Sequence, residues 1–458
     1  MRARRPAALR LATLASSAQS LLAAPIVPTL LRLSAPGMLL VAFQSAVSIG
    51  DTYFVGRLGT APLAGLALVF PLLMLLQMTS AGAMGGGVAS AIARALGAGD
   101  AARARKLVVH ALVIALGMAG AFTVLLVVFA KPLYRLLGGE GETLASALAY
   151  SDIVFAGALT VWLANTLSSL LRGTGNMLVP AAALIVAATI HVPLSGSLTL
   201  GAGPMPRLGI AGAAISYVTT FGLAAIGQAV VVFRRGSALR PTRADLRLER
   251  RLFAEILRVG GLSTLNAFQT VLTAVVLTGF VGRFGAAALA GYGVGVRLEL
   301  LQIPLAFAVG QALVVLVGVN IGAGNTAAAK RIAWAGTALA AAICFVIGAT
   351  AAVFPLAWVG LFSDDPAVLA AGSRYLRIVA PFYPLLGVGI ALYFASQGAG
   401  QMLKPVLAGT ARLAIVVVGG ALAASLAAIF GVIALGMTAG GLLMMAIVAR
   451  APWRSARQ

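Results

Sequence analysis

Acidic side chains are scarce in this sequence: 458 residues include only 11 aspartates and glutamates, and charged residues of both signs make up 10% of the chain. A soluble domain carries about a quarter charged residues. Too little charge is present to dress a water-facing surface, which excludes an ordinary soluble fold. The single cysteine, Cys344, excludes an intrachain disulfide and says nothing of redox compartment. The two histidines, His110 and His191, have no cysteine or carboxylate at ligand spacing, which speaks against a metal centre. They also fail to supply the clustered His/Asp/Ser set that a membrane-embedded lipid-modifying enzyme would need. Strand-type alternation is missing, so a transmembrane barrel is excluded. The stretch AGAMGGGVAS, residues 81–90, is glycine-rich but lacks the Gly-Lys-Ser/Thr ending of a phosphate loop, and that ending occurs nowhere in the chain. Without a nucleotide-binding module, any transport must run on a gradient.

What the chain has in plenty is apolar length. Hydrophobic residues make up 61% of it, and the mean hydropathy is +1.02. A helix needs about 20 predominantly apolar residues to cross a bilayer. The runs predict twelve spans, near 33–56, 62–93, 107–130, 144–171, 177–200, 209–233, 256–282, 287–318, 330–355, 367–396, 405–427 and 429–449. The net charge is +22, but the basic residues gather at the two ends and after even-numbered spans, above all in RRGSALRPTRADLRLERR, residues 234–251. This is the positive-inside pattern, and it predicts both termini in the cytoplasm. The positive excess therefore belongs to topology, and no nucleic-acid partner is expected. Arg297 is the one basic residue read as lying within a span. The N-terminal MRARRPAALRLATLASSAQSLLAAP reads as a cytoplasmic extension, with a cleaved signal peptide as the alternative.

The chain is written twice. SIGDTYFVGRLGTAPLAG (48–65) returns as TGFVGRFGAAALAG (278–291), GAGD (97–100) as GAGN (322–325), Tyr150 as Tyr375, and RGTGNMLVP (172–180) as QGAGQMLKP (397–405). Six spans re-enter the membrane from the same side, so the halves should be parallel, with a pseudo-two-fold axis along the membrane normal. The expected organisation is a cytoplasmic extension (1–30), a six-helix lobe (31–233), a basic cytoplasmic linker (234–255), a second six-helix lobe (256–449) and a cytoplasmic tail (450–458). The fold class is all-α integral membrane. In the repeated loops, Gly99 and Gly324 are expected to end one helix, with Asp100 and Asn325 capping the next.

Asp51-Thr52 followed by Val55-Gly56-Arg57-Leu58-Gly59, the GAGD and GAGN loops, LRGTGN with Pro180, and LGIAGAA (208–214) resemble the multidrug and toxic compound extrusion family. The resemblance runs from about residue 30 to 430. It implies a V-shaped pair of lobes that exports organic cations or amphipathic drugs in exchange for protons or sodium. The chain also departs from family patterns. The stretches 265–282 and 381–398 hold none of the acids that the norfloxacin-efflux branch places there. VAATIHVPLSG (186–196) offers Ala188 and Val192, with His191 adjacent, where the DNA-damage-inducible branch has an Asn and an Asp. The sodium cage is incomplete by this reading, which favours a proton.

Asp51 is the leading candidate, because an acid in mid-membrane is costly and usually marks an ion or substrate path. Its repeat counterpart is Leu277. Steps of four and three residues put Gln44, Ser48 and Asp51 on one helical face. Glu299 is the second acid without a twin, its counterpart falling near Leu73. Arg297 and Glu299 are two residues apart, so each should find its partner elsewhere. Proton or cation coupling is thus expected at Asp51 and Glu299, and the substrate cavity at Gln44, Ser48, Tyr150, Asn165 and Arg297; Tyr150 and Asn165 enter through the resemblance. For Asn165 a helix–helix hydrogen bond is an equal reading. Gln77, Gln269, Gln302, Asn266 and Asn320 read as packing contacts. No cofactor or metal is expected. The partners are small drugs and the bilayer, and the form is a monomeric antiporter in a bacterial-type inner membrane. The rival reading is a flippase for lipid-linked sugars, which would favour a more cationic cavity.

Overall fold

The computed structural model describes residues 21–453 and is helical throughout, with no strand among the described residues. The helices are α1 (Ile26–Gly56), α2 (Thr60–Gly97), α3 (Ala101–Leu136), α4 (Gly141–Ala156), α5 (Ala158–Gly173), α6 (Leu178–Leu200) and α7 (Ile210–Phe233), then α8 (Arg250–Gly282), α9 (Ala286–Gly322), α10 (Thr326–Val353), α11 (Pro366–Gly398), α12 (Leu403–Leu422) and α13 (Leu426–Arg450). Eleven of these are long and apolar enough to cross a bilayer alone. The pair α4 and α5, bent by 50° at Gly157, makes the twelfth span. Every apolar run read from the sequence is thus a span or this bent pair, and the chain is a multi-pass membrane protein. Of the N-terminal extension, residues 1–20 lie outside the described residues, as does the tail beyond 453; α1 has begun by Ile26.

Loop chemistry explains the helix ends. Gly99 and Gly324 adopt φ of +75° and +86°, the left-handed turn that releases a chain from a helix. Asp100 then caps α3, its carboxylate accepting the Arg103 N–H at 2.8 Å. Asn325 stands at the matching place but its side chain makes no cap bond. There α10 opens on the backbone alone, through Ala329 N–H to the Asn325 carbonyl at 3.0 Å. Within α2, residues Met78–Met84 form a π-helical segment, an over-wide turn in an otherwise regular helix.

The chain divides into two compact units. The first holds Ala35–Gly260; the second holds residues 21–34 and 261–453 of the described chain, so the division falls inside α1 and α8. The linker packs with the first unit through its few acids. Asp245 meets Arg105 at 3.1 Å, Glu249 meets Lys106 at 2.6 Å, and Glu255 meets both Arg94 (3.1 Å) and Arg103 (2.6 Å). The Glu249 N–H donates to His110 Nε2 at 2.8 Å, and His110 Nδ1 lies 2.7 Å from the Lys106 carbonyl. That pattern places the ring proton on Nδ1. In the second unit, Tyr292, Tyr375, Tyr383 and Phe430 are buried together in the apolar core. Tyr375 packs edge-on to both Tyr292 and Phe430.

Candidate functional site

In the first unit the structure surrounds Asp51 with groups from α6. His191 and Ser195, four residues apart, occupy one face of that helix. His191 Nε2 stands 3.0 Å from each carboxylate oxygen of Asp51, and Ser195 Oγ donates to Oδ1 at 2.6 Å. On the far side of the ring, α7 supplies Ser216 Oγ, 3.0 Å from His191 Nδ1, and Thr220 Oγ1, 3.4 Å away. Ser216 Oγ also lies 3.2 Å from the His191 carbonyl. His191 is almost fully buried, and the Asp51 side chain keeps 12% exposure.

This arrangement accommodates two proton counts without losing a contact. With a neutral ring, Nε2–H donates to Asp51 and the Ser216 hydroxyl donates to Nδ1. With a second proton, Nδ1–H donates to Ser216 Oγ, whose own hydrogen turns to the His191 carbonyl. The serine hydroxyl is both donor and acceptor and can reverse its role.

A second polar chain lies beside the first. Gln77, at the threshold of the π segment, donates to Tyr217 Oη at 2.6 Å, and Asn165 Nδ2 donates to Gln77 Oε1 (3.0 Å) and Ser80 Oγ (2.8 Å). The Tyr217 ring meets His191 edge-on at 6.3 Å between centroids, which joins the two chains. Asn165 therefore works as a helix–helix link, and Gln77, read as packing, is its partner. Tyr150 is buried and within electrostatic range of Asp51 and Tyr217. Gln44 and Ser48 are exposed on α1, and neither side chain is hydrogen-bonded to Asp51. Ser48 uses its carbonyl, which accepts from Thr52 Oγ1 at 2.8 Å. The partners of Asp51 thus come from α6, through His191 and Ser195. Their four-residue spacing was the available signal.

The second unit holds the other candidates. Glu299 accepts a hydrogen bond from Tyr375 Oη at 3.0 Å. Gly295, one turn before Glu299, has no side chain to keep the Tyr375 ring off α9, which sets the reach of that hydroxyl. Arg297 points elsewhere, its guanidinium 5.2 Å from the Phe362 ring centroid, beside a cavity of about 330 Å³ also lined by Ala290, Gly293, Ser363 and Val368. The two neighbours are therefore not paired, as their spacing required. The reading of Arg297 as the sole basic residue within a span is corrected by Arg412, which sits near the middle of α12. It lies inside the predicted span 405–427. Among the described residues no group of three or more His, Cys, Asp or Glu could hold a metal ion.

Comparison with known proteins fits this architecture. The chain is 28% identical over 399 residues to an FAD transporter of Shewanella oneidensis, covering 86% of this chain and 87% of that protein. It is 26% identical over 397 residues to the multidrug export protein MepA of Staphylococcus aureus, covering 84% and 85%. A MOP superfamily transporter from Pyrococcus furiosus shares the fold with a TM-score of 0.86 at 22% identity, over 94% of this chain and 98% of that one. The MatE family model matches twice, over residues 36–195 and 263–422, one match for each half of the repeat. The chain belongs to the MatE family.

Proposed function

We propose that this protein is a secondary transporter of the inner membrane that exports amphipathic small molecules in exchange for protons, by alternating exposure of its binding site. The carrying observation is the Asp51–His191–Ser195 cluster, a carboxylate against an imidazole within the helical bundle, with a hydroxyl behind the ring. His191 Nε2 stands 3.0 Å from both Asp51 oxygens and Ser195 Oγ donates to one of them, an arrangement that supports passing a proton between carboxylate and imidazole. Glu299, held by a tyrosine in the second unit, is the second coupling group. The termini and the linker lie on the cytoplasmic side, where the basic residues concentrate.

The energetics suffice. A proton moving inward releases about 2.3 kcal/mol per 100 mV. A tenfold gradient of a neutral solute costs about 1.4 kcal/mol. One proton at that potential therefore sustains more than tenfold exclusion of a neutral compound. For a monovalent cation exchanged one for one, the charges cancel and the pH difference alone drives export.

The test is purified protein in liposomes loaded with a fluorescent dye, under an imposed pH gradient or an imposed sodium gradient. Dye movement against its gradient is expected with the pH gradient, and its loss in Asp51→Asn and Asp51→Leu. Undiminished transport by both variants would remove Asp51 from the mechanism. Transport driven by sodium alone would replace the proton. The relatives carry names for unlike cargoes, FAD and multiple drugs, so cargo must be argued from this chain's own side chains.

A further inference from the structure

Arg412 has a position that neither packing nor topology explains. On α12 the residues Ala408, Val416 and Gly420 are buried, and Arg412 stands in the same four-residue register, while Leu407, Thr410 and Val417 on the other face are exposed. The side chain therefore enters the interior of the second unit. Its stem lies along Gly436 and Gly440 of α13, where added Cβ atoms would stand 3.6 and 3.3 Å from it; these glycines leave the arginine its channel.

At the end of that channel the guanidinium has no protein acceptor. Among the described residues no hydrogen bond or ion pair reaches it, although Glu299 is close enough to attract it. Arg412 is half-buried, so its guanidinium is not sealed from outside the protein core. A charged group at this depth is costly and is normally paired or set on a substrate path. A second observation points the same way. Three residues beyond Glu299, on the same face of α9, Gln302 is fully buried with both amide atoms unpartnered. An arginine and an amide without partners leave unmet hydrogen-bonding capacity in one unit. A planar guanidinium matches a phosphate or carboxylate with two parallel hydrogen bonds.

We infer that the second unit holds a binding site for the anionic group of a small organic substrate, a phosphate or carboxylate ligated by Arg412, with Glu299 as the internal counter-charge that the substrate displaces. This deepens the reading of the protein as a small-molecule exporter and adds a cargo class, amphipathic anions. It is independent of the proton cluster in the first unit.

The experiment measures binding of flavin mononucleotide and riboflavin, which differ by one phosphate, to the purified full-length protein by flavin fluorescence. Wild type is expected to prefer the nucleotide at least about tenfold. Arg412→Gln should bring the preference to within about threefold, Arg412→Lys should retain part of it, and Glu299→Gln should increase it by removing the competing carboxylate. Equal affinities in wild type, or a preference that survives in Arg412→Gln with an unaltered melting profile, would overturn the site. Should Arg412→Gln fail to fold, Glu299→Gln decides: an increased preference supports the site and an unchanged one refutes it. Displacement of the nucleotide by phosphatidylglycerol micelles but not by inorganic phosphate would reassign Arg412 to a lipid headgroup and refute the cargo claim. Failure of proton-driven export leaves this binding comparison standing, so the two readings fail separately.

Discussion

His191 is where chemistry and position meet at the scale of single residues. His191→Gln keeps an N–H that can reach Asp51 but removes the second ring nitrogen facing Ser216 and Thr220. Export by this variant is expected to continue at a reduced rate, with the dependence on external pH flattened; stopped-flow dye export between pH 6 and 9 is the check. An unchanged pH profile would make His191 a spacer. Asp51 was legible in sequence because an acid in a lipid-fit run stands out. Its partners were not, because serine and histidine are common in helix contacts and only the approach of α6 to α1 brings them to the carboxylate. Arg412 escaped for another reason. It lies within the predicted span 405–427 but is passed over there, and only the burial of residues four before and after it fixes its face.

At the scale of elements, the basic linker is shaped by its acids. Asp245 is buried and accepts from both the Thr242 hydroxyl (2.6 Å) and amide (2.9 Å) as well as from Arg105. Burial alone would raise its pKa, but these bonds and the arginine outweigh it and hold the carboxyl below its ordinary value of 3.8. A depressed carboxyl stabilises fully above about pH 3.8 and loses that contribution as pH falls through the lower folded value. Linker packing should therefore be insensitive to pH from neutrality down to about 4 and loosen below it, as hydrogen exchange across 234–249 would show. Charge-assisted bonds are worth about 1.5–3 kcal/mol each. Asp245→Ala should raise trypsin cleavage in the linker at pH 7 at least about tenfold. Helix positions were well marked in sequence, since lipid demands long apolar runs with self-satisfied backbones. The bend at Gly157 and the π segment of α2 were not, because both depend on neighbouring helices rather than on hydropathy.

For the whole molecule, the duplicated sequence and the two family matches agree on one repeat per half. The proposed orientation rests on charge, and the lone Cys344 makes it testable. In a Cys344→Ala background, Arg235→Cys should react with an impermeant maleimide only in inverted vesicles. Glu140→Cys and Asp364→Cys, on exposed loops, should react only in right-side-out ones. Labelling of Arg235→Cys from outside would invert the topology and with it the direction of export.

The wide turn at Met78–Met84 divides α2 into a portion ending at Gln77 and a portion beginning at Gly85. Each residue of a regular helix advances the azimuth by about 100°. The wide turn absorbs one extra residue, so Gln77 and Gly85 keep nearly the relative azimuth that a regular helix one residue shorter would give them. Deleting Ala81 should therefore leave both portions of α2 in register and act locally, at Ser80, whose hydroxyl accepts from Asn165 at 2.8 Å.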